Sequence, residues 1–436
     1  MSLLSNDYVL KLREMIKCDT ISSSAFFNEK KSRTFQEVLS TLFPNVFSKC
    51  RIKDLDGSII VELIGRRSSA PILYLCHFDT VDIKGNWKHD PLKAETDDTK
   101  LYGRGTLDAK GNLFCILQAF EELIQEGYVP AQDVYVASVC DKESNNEAIQ
   151  NIYNYFKNSS TYFGYILDEG GYVVNAPLVG MSKDYAMIGL GESAHAVLKF
   201  TASGNGGRSS YFNKKAPLFD LLAFVQEFEY DDVFKKSIND SLHDIFHQFS
   251  EDMTDYNKYI FANSKLCSPL VKLSLKKQPL AMSMISSSLS IVSINTTESS
   301  NTIASEVSAI GNLHISLDDT LEECLDVIGK IAEYYGVKVE VLNSEDKSRV
   351  TNPKSYQYIE FEETVKEVFN DATVVPFISN VNSNLRVMDR LCSNSFRFVP
   401  LRVTTDQIQS IHGVDENIDI ASLDKGVAFY KKLIRK

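Results

Sequence analysis

His77, Asp108, Glu143, Asp168 and His412 are the residue types that bind divalent metals, and three of them end or follow an apolar run. His77 closes the run in LYLCHFDT, Glu143 follows the one in VYVASVCDKES, and Asp168 ends the one in GYILDEGG. The carboxyl ends of sheet strands are where open α/β folds place their ligands. Three carboxylates and two imidazoles suit a dinuclear site for hard or borderline cations, with zinc favoured by the imidazoles. Two neighbouring metals lower the pKa of a shared water and polarise an amide carbonyl, so the chemistry such a site predicts is hydrolysis. Lys142 stands directly before Glu143 and brings positive charge to the same turn.

Neighbouring residues extend the pattern. Asp79, two positions beyond His77, is placed to hold the ring's other nitrogen, which fixes a metal-binding tautomer. Asp108 lies in LYGRGTLDAKG among Gly103, Gly105 and Gly111, where glycines let the backbone pass close to a metal and a helix start favours anionic groups. Asp108 equally reads there as a helix cap. Cys76 and Cys140 adjoin candidate ligands but fall on the opposite strand face, as buried hydrophobes. Trp87, with Pro91, reads as loop packing, and His195 as a strand residue rather than a ligand.

Strands and helices must hold these groups together. Ser58–Ile64, Pro71–Cys76, Asp133–Val139 and Tyr162–Leu167 are short apolar runs that read as buried strands. Gly111–Glu126 carries Leu113, Ile116, Leu117, Phe120, Leu123 and Ile124 at helical spacing. Strands alternating with helices make this an α/β chain and favour a largely parallel sheet covered by helices. Beyond Tyr185 the texture changes to a strand at His195–Thr201, a helix at Ala216–Glu229, strands near Leu289–Thr296 and Val307–Ser316, a helix at Leu321–Tyr335 and a strand at Val337–Leu342. That order fits a small α+β unit, with irregular helices expected over Phe234–Leu280. For His412 to join the early ligands, the middle unit must be an insertion. Residues 1–186 and 344–436 then form a discontinuous metal-binding domain, and residues 187–343 the inserted one.

Bulk properties narrow the class. With 436 residues, 44% of them hydrophobic, the chain can bury a sizeable core in two domains or more. A net charge of -12 argues against general nucleic-acid binding, which needs basic surface to displace counterions. Eight cysteines scattered without a CxxC pair suit a reducing cytoplasm. The N-terminal segment reads as an amphipathic helix rather than a signal peptide, and no stretch of about 18 apolar residues occurs to span a membrane.

The strings CHFDTVDIKGNWKHDPL, LYGRGTLDAKG, YILDEGG and IHGVDENI resemble the M20 metallopeptidase family, particularly its carboxypeptidase S and N-acyl amino acid hydrolase branch, from about Asp7 onward. The resemblance implies a zinc-exopeptidase-like mixed sheet flanked by helices, with a smaller ferredoxin-like lid or dimerisation domain inserted. It also implies two zinc ions, with His77 and Asp168 on one, Glu143 and His412 on the other, Asp108 bridging both and Asp79 orienting His77. A small peptide or N-acyl amino acid is the implied substrate, and a homodimer through the insert is the implied partner.

The sequence departs from that family at several working positions. The family's general base is a glutamate before the ligand Glu143, in an Asp-Glu-Glu triplet, but here the triplet is Asp141-Lys142-Glu143. An ammonium accepts no proton unless its pKa is strongly depressed, and general-base catalysis contributes about 10²–10⁴-fold in rate. SGNGGRSSYF carries Arg208 where the family has an oxyanion-stabilising histidine, which leaves a substrate-carboxylate contact or a solvent-facing residue. ISNVNSNLR places Asn384 where the family grips a substrate carboxylate with arginine, with Asn382 replacing an aspartate and Arg386 two positions on. Asn301 in NTIAS keeps the family's asparagine, His314 falls where a lid arginine is common, and Arg397 in SFRFVP matches a family position. Two functions fit: a zinc-dependent exopeptidase or amidohydrolase with an altered base, and a silent relative that binds metal or ligand or serves as a dimeric scaffold.

Overall fold

The computed structural model describes residues 3–22, 29–178, 180–210, 216–230, 233–276, 278–296, 301–380 and 382–436. Tyr211 and Phe212 of SGNGGRSSYF and Val381 of ISNVNSNLR lie outside them. The chain divides into one compact unit of residues 1–191 and 349–436 and a second of residues 192–348.

The first unit is built on a ten-stranded sheet. Its order is Arg51–Leu55, Ser58–Leu63, Val134–Val139, Ile72–His77, Tyr165–Asp168, Ser395–Arg397, Asp184–Glu192, Val173–Asn175 and Arg402–Val403, with Ala372–Ser379 also pairing with Asp184–Glu192. The four strands from Val134–Val139 to Ser395–Arg397 run parallel. Arg402–Val403 also runs parallel to Val173–Asn175, but the expectation of a largely parallel sheet is not met, because Ser58–Leu63 runs antiparallel to both its neighbours, Arg51–Leu55 and Val134–Val139, and Asp184–Glu192 runs antiparallel to Val173–Asn175 and Ser395–Arg397. The sheet is therefore mixed. Central strands such as Ile72–His77 are buried along their whole length, as strands covered on both faces must be. The helix Lys110–Gln125 packs on Ile420–Arg435 and on the Ile72–His77 strand, with Leu113, Phe114, Leu117 and Phe120 buried.

Asp184–Glu192 continues beyond residue 186, the boundary expected from sequence, because Gly189 pairs with Arg397 in the large sheet. The first unit accordingly keeps the chain to Gly191 and regains it at Arg349. The strand expected from Tyr162 begins at Tyr165, after a turn in which Gly164 donates to the Pro71 carbonyl.

The second unit has four antiparallel strands in the order Ser288–Thr296, Glu306–Ile315, Ala194–Ser203, Val337–Glu345. With the helices Pro217–Tyr230 and Leu321–Tyr335 this is a βαββαβ, ferredoxin-like arrangement. Burial alternates along Ala194–Ser203, so one face of the strand carries Ala196, Leu198, Phe200 and Ala202 into a core with Phe224, Leu313 and Ile328. Leu321–Tyr335 starts in a Thr320–Glu323 capping box and stops at Gly336, whose φ of 67° suits glycine. The segment after Phe234 forms the short helices Asp240–Ser250, Asn257–Ala262 and Ser268–Leu275. Among the described residues no helix is long and apolar enough to cross a membrane.

Candidate metal centre

Five segments of the first unit carry the candidate ligands His77, Asp108, Glu143, Asp168 and His412. His77 is the last residue of its strand and is fully buried; its Nδ1 lies 3.0 Å from the Asp79 carbonyl oxygen and 3.3 Å from Asp79 Oδ1. Both neighbours of Nδ1 are acceptors, so that nitrogen carries the proton and Nε2 faces the site. Asp79 does more than orient the ring. Its Oδ2 accepts the Ser22 hydroxyl at 2.6 Å and the Glu143 backbone N–H at 2.8 Å, tying two loops to the end of one strand.

The Asp108 turn needs its glycines for space. A side chain at Gly111 would place Cβ 2.2 Å from the Thr106 carbonyl oxygen, and Gly105 has φ +89° with Thr80 against its open face. A cis peptide bond joins Asp108 to Ala109. The helix that follows is capped by Ala109 without a side-chain hydrogen bond, so the capping role that Asp108 could have filled is not used. Its carboxylate turns inward instead: Oδ1 lies 2.8 Å from His77 Nε2 and Oδ2 lies 2.9 Å from His412 Nε2.

Glu143 joins the same group. Its Oε1 is 3.9 Å from His77 Nε2 and its Oε2 is 3.2 Å from His412 Nε2. His77, Asp108 and Glu143 bring ligand atoms within 4.8 Å of one another. Asp141 shapes the turn by accepting the N–H groups of Glu147 at 2.9 Å and Ala148 at 3.1 Å, which caps the helix Ala148–Asn158.

Asp168 is buried at the end of its strand, and its Oδ1 accepts the Glu169 N–H at 2.9 Å. The next residue, Glu169, also reaches the site, with Oε2 3.4 Å from His77 Nε2. Sequence reasoning passed over Glu169 because strand alternation places Asp168 and says nothing of the residue just past the strand end. The two adjacent acids in YILDEGG were the available signal.

Lys142 extends into this cluster with its side chain only 11% exposed. Nζ pairs with Glu169, lies 3.3 Å from His77 Nε2 and 3.6 Å from Glu143 Oε1. Burial works against its charge, but Glu169, Asp108 and Glu143 outweigh it and hold its pKa well above the ordinary lysine value. Burial and Lys142 likewise oppose protonation of His77, and Glu169 and Asp108 more than offset them. Hydrogen bonds to Asp108 and Glu143 push His412 up to about 10.

A second group missed in the sequence holds the outer rim. Glu416, fully buried, accepts the N–H groups of Gly105 at 3.1 Å, Leu107 at 2.9 Å and Asp108 at 3.2 Å. Arg104 pairs with it at 2.8 Å, donates to the Gly413 carbonyl at 2.7 Å, and lies 5.0 Å over the Trp87 ring. The loop residue Trp87 thus packs on the cation that locks the His412 segment to the Asp108 turn.

Of the remaining candidates, Asn384 directly precedes the helix Leu385–Met388 without a side-chain capping bond, is 1% exposed, and its amide has no partner among the described residues. Arg208 and Asn301 belong to the second unit, on a two-stranded ribbon of Gly207–Arg208 and Thr302–Ile303 in which Ser209 N–H donates to the Asn301 carbonyl at 3.1 Å. Both are exposed.

A mixed α/β sheet with imidazoles and carboxylates converging at its strand ends, interrupted by a ferredoxin-like unit, has the architecture of a metallohydrolase. The chain belongs to peptidase family M20/M25/M40, whose profile matches residues 73–436. It is 27% identical over 409 residues to a probable carboxypeptidase S-like 2 of Dictyostelium discoideum, covering 92% of this chain and 78% of that protein. It is 28% identical over 432 residues to the N-fatty-acyl-amino acid synthase/hydrolase PM20D1 of Xenopus tropicalis, covering 97% and 84% respectively. Human carnosine dipeptidase 1 shares the fold with a TM-score of 0.75 at 13% identity, over 99% of this chain and 96% of that one. Family membership places the chain among peptidases and amidohydrolases.

Proposed function

We propose that this chain is a metal-dependent hydrolase that cleaves an amide bond in a small peptide or N-acyl amino acid, with zinc as the resident ion and weak or atypical turnover. One observation carries the reading: the two oxygens of Asp108 face His77 and His412, residues from opposite ends of the chain. Imidazoles and carboxylates in this grouping fit a borderline divalent cation. When bound, such an ion lowers the pKa of a water and polarises the scissile carbonyl. The protein supplies the rest. Asp79 fixes the tautomer of His77, and Glu416 and Arg104 fix the approach of His412 to Asp108.

Proton handling is where this site differs. Lys142 is held charged by three carboxylates and donates rather than accepts, so it cannot replace a general base. Glu169 is paired with it, and although burial works against its charge, Lys142 and His77 hold its carboxyl below the ordinary glutamate value. The names of the carboxypeptidase S-like and N-fatty-acyl-amino acid relatives support the substrate class. Arg208, Asn301 and Asn384 occupy positions the family uses at its site, with only Asn301 keeping the family's residue, and the expected dimer through the inserted unit rests on the same resemblance.

The charged Lys142 also favours a second reading, a silent relative that binds metal or ligand without turnover. Hydrolysis of dipeptides and N-acyl amino acids, assayed with and without chelator, separates them. Chelator-sensitive turnover supports the hydrolase. A fully metal-loaded wild type that cleaves neither class, beside an active Lys142→Glu, supports the silent relative.

A further inference from the structure

The candidate metal centre has two halves that the structure makes unequal. Asp108 and Glu143 each divide their oxygens between them. Asp108 Oδ1 and Glu143 Oε1 face His77, whereas Asp108 Oδ2 and Glu143 Oε2 face His412. Glu169 adds a third carboxylate on the His77 side only. Into that half, and not the other, comes the Lys142 ammonium, against Glu169, 3.3 Å from His77 Nε2 and 3.6 Å from Glu143 Oε1.

We propose that the Lys142 ammonium is a built-in cation that fills the His77 half of the centre, so that the protein takes one divalent ion, on the His412 side, instead of two. The inference rests on the metal-binding reading above and deepens it. A metal bonded to His77 Nε2 would sit at about 2.0–2.1 Å from that atom and so compete with the ammonium for the same space and the same carboxylates. Charge favours the same outcome. Where the family resemblance implies a glutamate, lysine shifts the local charge by two positive units, the charge of one divalent ion.

The backbone that carries the lysine is also fixed. On one side Asp141 is fixed by the N–H groups of Glu147 and Ala148, and on the other the Glu143 N–H is bound to Asp79, so the backbone is held on both sides of residue 142. The His412 half differs in each respect. It offers an imidazole and two carboxylate oxygens, its histidine side chain is 52% exposed, and no lysine contact falls on its donor atoms among the described residues.

The test counts ions rather than turnover. Full-length wild type, Lys142→Glu and Lys142→Met are stripped with chelator and dialysed against Zn²⁺. Bound zinc is then counted by native mass spectrometry on folded charge states, so partial unfolding of a variant does not obscure the count. One zinc in the wild type and two in both variants is the expected result. The methionine variant matters because it removes the ammonium without adding a ligand. Two zinc ions in the wild type overturn the proposal, as does a count of one in all three proteins. No zinc in any of them overturns the metal-dependent reading itself, and with it this inference.

Discussion

The Asp79 carboxylate accepts the backbone N–H of Glu143 at 2.8 Å while its other oxygen lies 3.3 Å from the His77 ring. One buried carboxylate therefore sets the positions of two candidate ligands from different loops. Replacing it with alanine frees both, and loss of such a supporting partner typically lowers metal affinity about 10–100-fold. Asp79→Ala is expected to weaken Zn²⁺ binding by that factor in a chelator-competition titration. An affinity equal to wild type would remove Asp79 from the positioning role.

Arg104 and Glu416 form an ion pair that is at most 2% exposed on either side chain. Removing one partner leaves a buried charge uncompensated, which costs about 3–5 kcal/mol. Urea unfolding of Glu416→Ala is expected to show a loss of that size. Arg104→Met combined with Glu416→Met is expected to lose less than Glu416→Ala, because no charge is stranded. Equal losses would show that packing rather than charge dominates there.

Lys142→Glu restores a carboxylate where a proton acceptor is needed. General-base catalysis is worth about 10²–10⁴-fold, so hydrolysis of a dipeptide or N-acyl amino acid is expected to rise into that range. Lys142→Met, which supplies no acceptor, is expected not to follow. A loss of wild-type turnover in both variants would instead make the ammonium a working part of the reaction.

His314 gives the inserted unit a pH dependence. Its Nε2 lies 3.2 Å from the Ser283 carbonyl oxygen and so donates, while Nδ1 lies 3.2 Å from the Ser193 hydroxyl and accepts from it. The neutral ring is satisfied at both nitrogens. Burial lowers its pKa below 6.5, partly offset by the Ser283 bond and reinforced by His195, which stands opposite it across the strand pair. A depressed folded pKa means stability that is full above the unfolded value and is lost as pH falls through the folded one. Hydrogen exchange in Glu306–Ile315 is expected to quicken at acid pH, after correction for intrinsic rates, more in wild type than in His314→Asn. Identical pH profiles would exclude His314 as the cause.

The fold was most legible where local chemistry and packing agree. The Leu321–Tyr335 helix has the bounds expected of it, and the Thr320–Glu323 capping box and Gly336 hold both ends. Strand directions at the sheet edges were not legible, because apolar runs look alike whether they pair parallel or antiparallel. Within the site, His77, Asp108, Glu143 and His412 could be named from strand ends and motifs, and the structure brings them together. Glu169 was signalled only by the paired acids of YILDEGG, and Arg104 and Glu416 not at all, since their roles arise from contacts between segments that spacing does not relate. Lys142 was conspicuous as a chemical misfit, but only the fold reveals which half of the centre its ammonium enters.

The Glu416 carboxylate, which gathers the amides of Gly105, Leu107 and Asp108, is encoded far downstream of the turn it stabilises. During translation the Asp108 turn emerges long before residues 411–416 leave the ribosome. A nascent chain at that stage has His77 and Asp108 but neither His412 nor the carboxylate that secures their shared geometry. Any hydrolytic competence is therefore acquired only after that returning segment has emerged and closed the ring of candidate ligands.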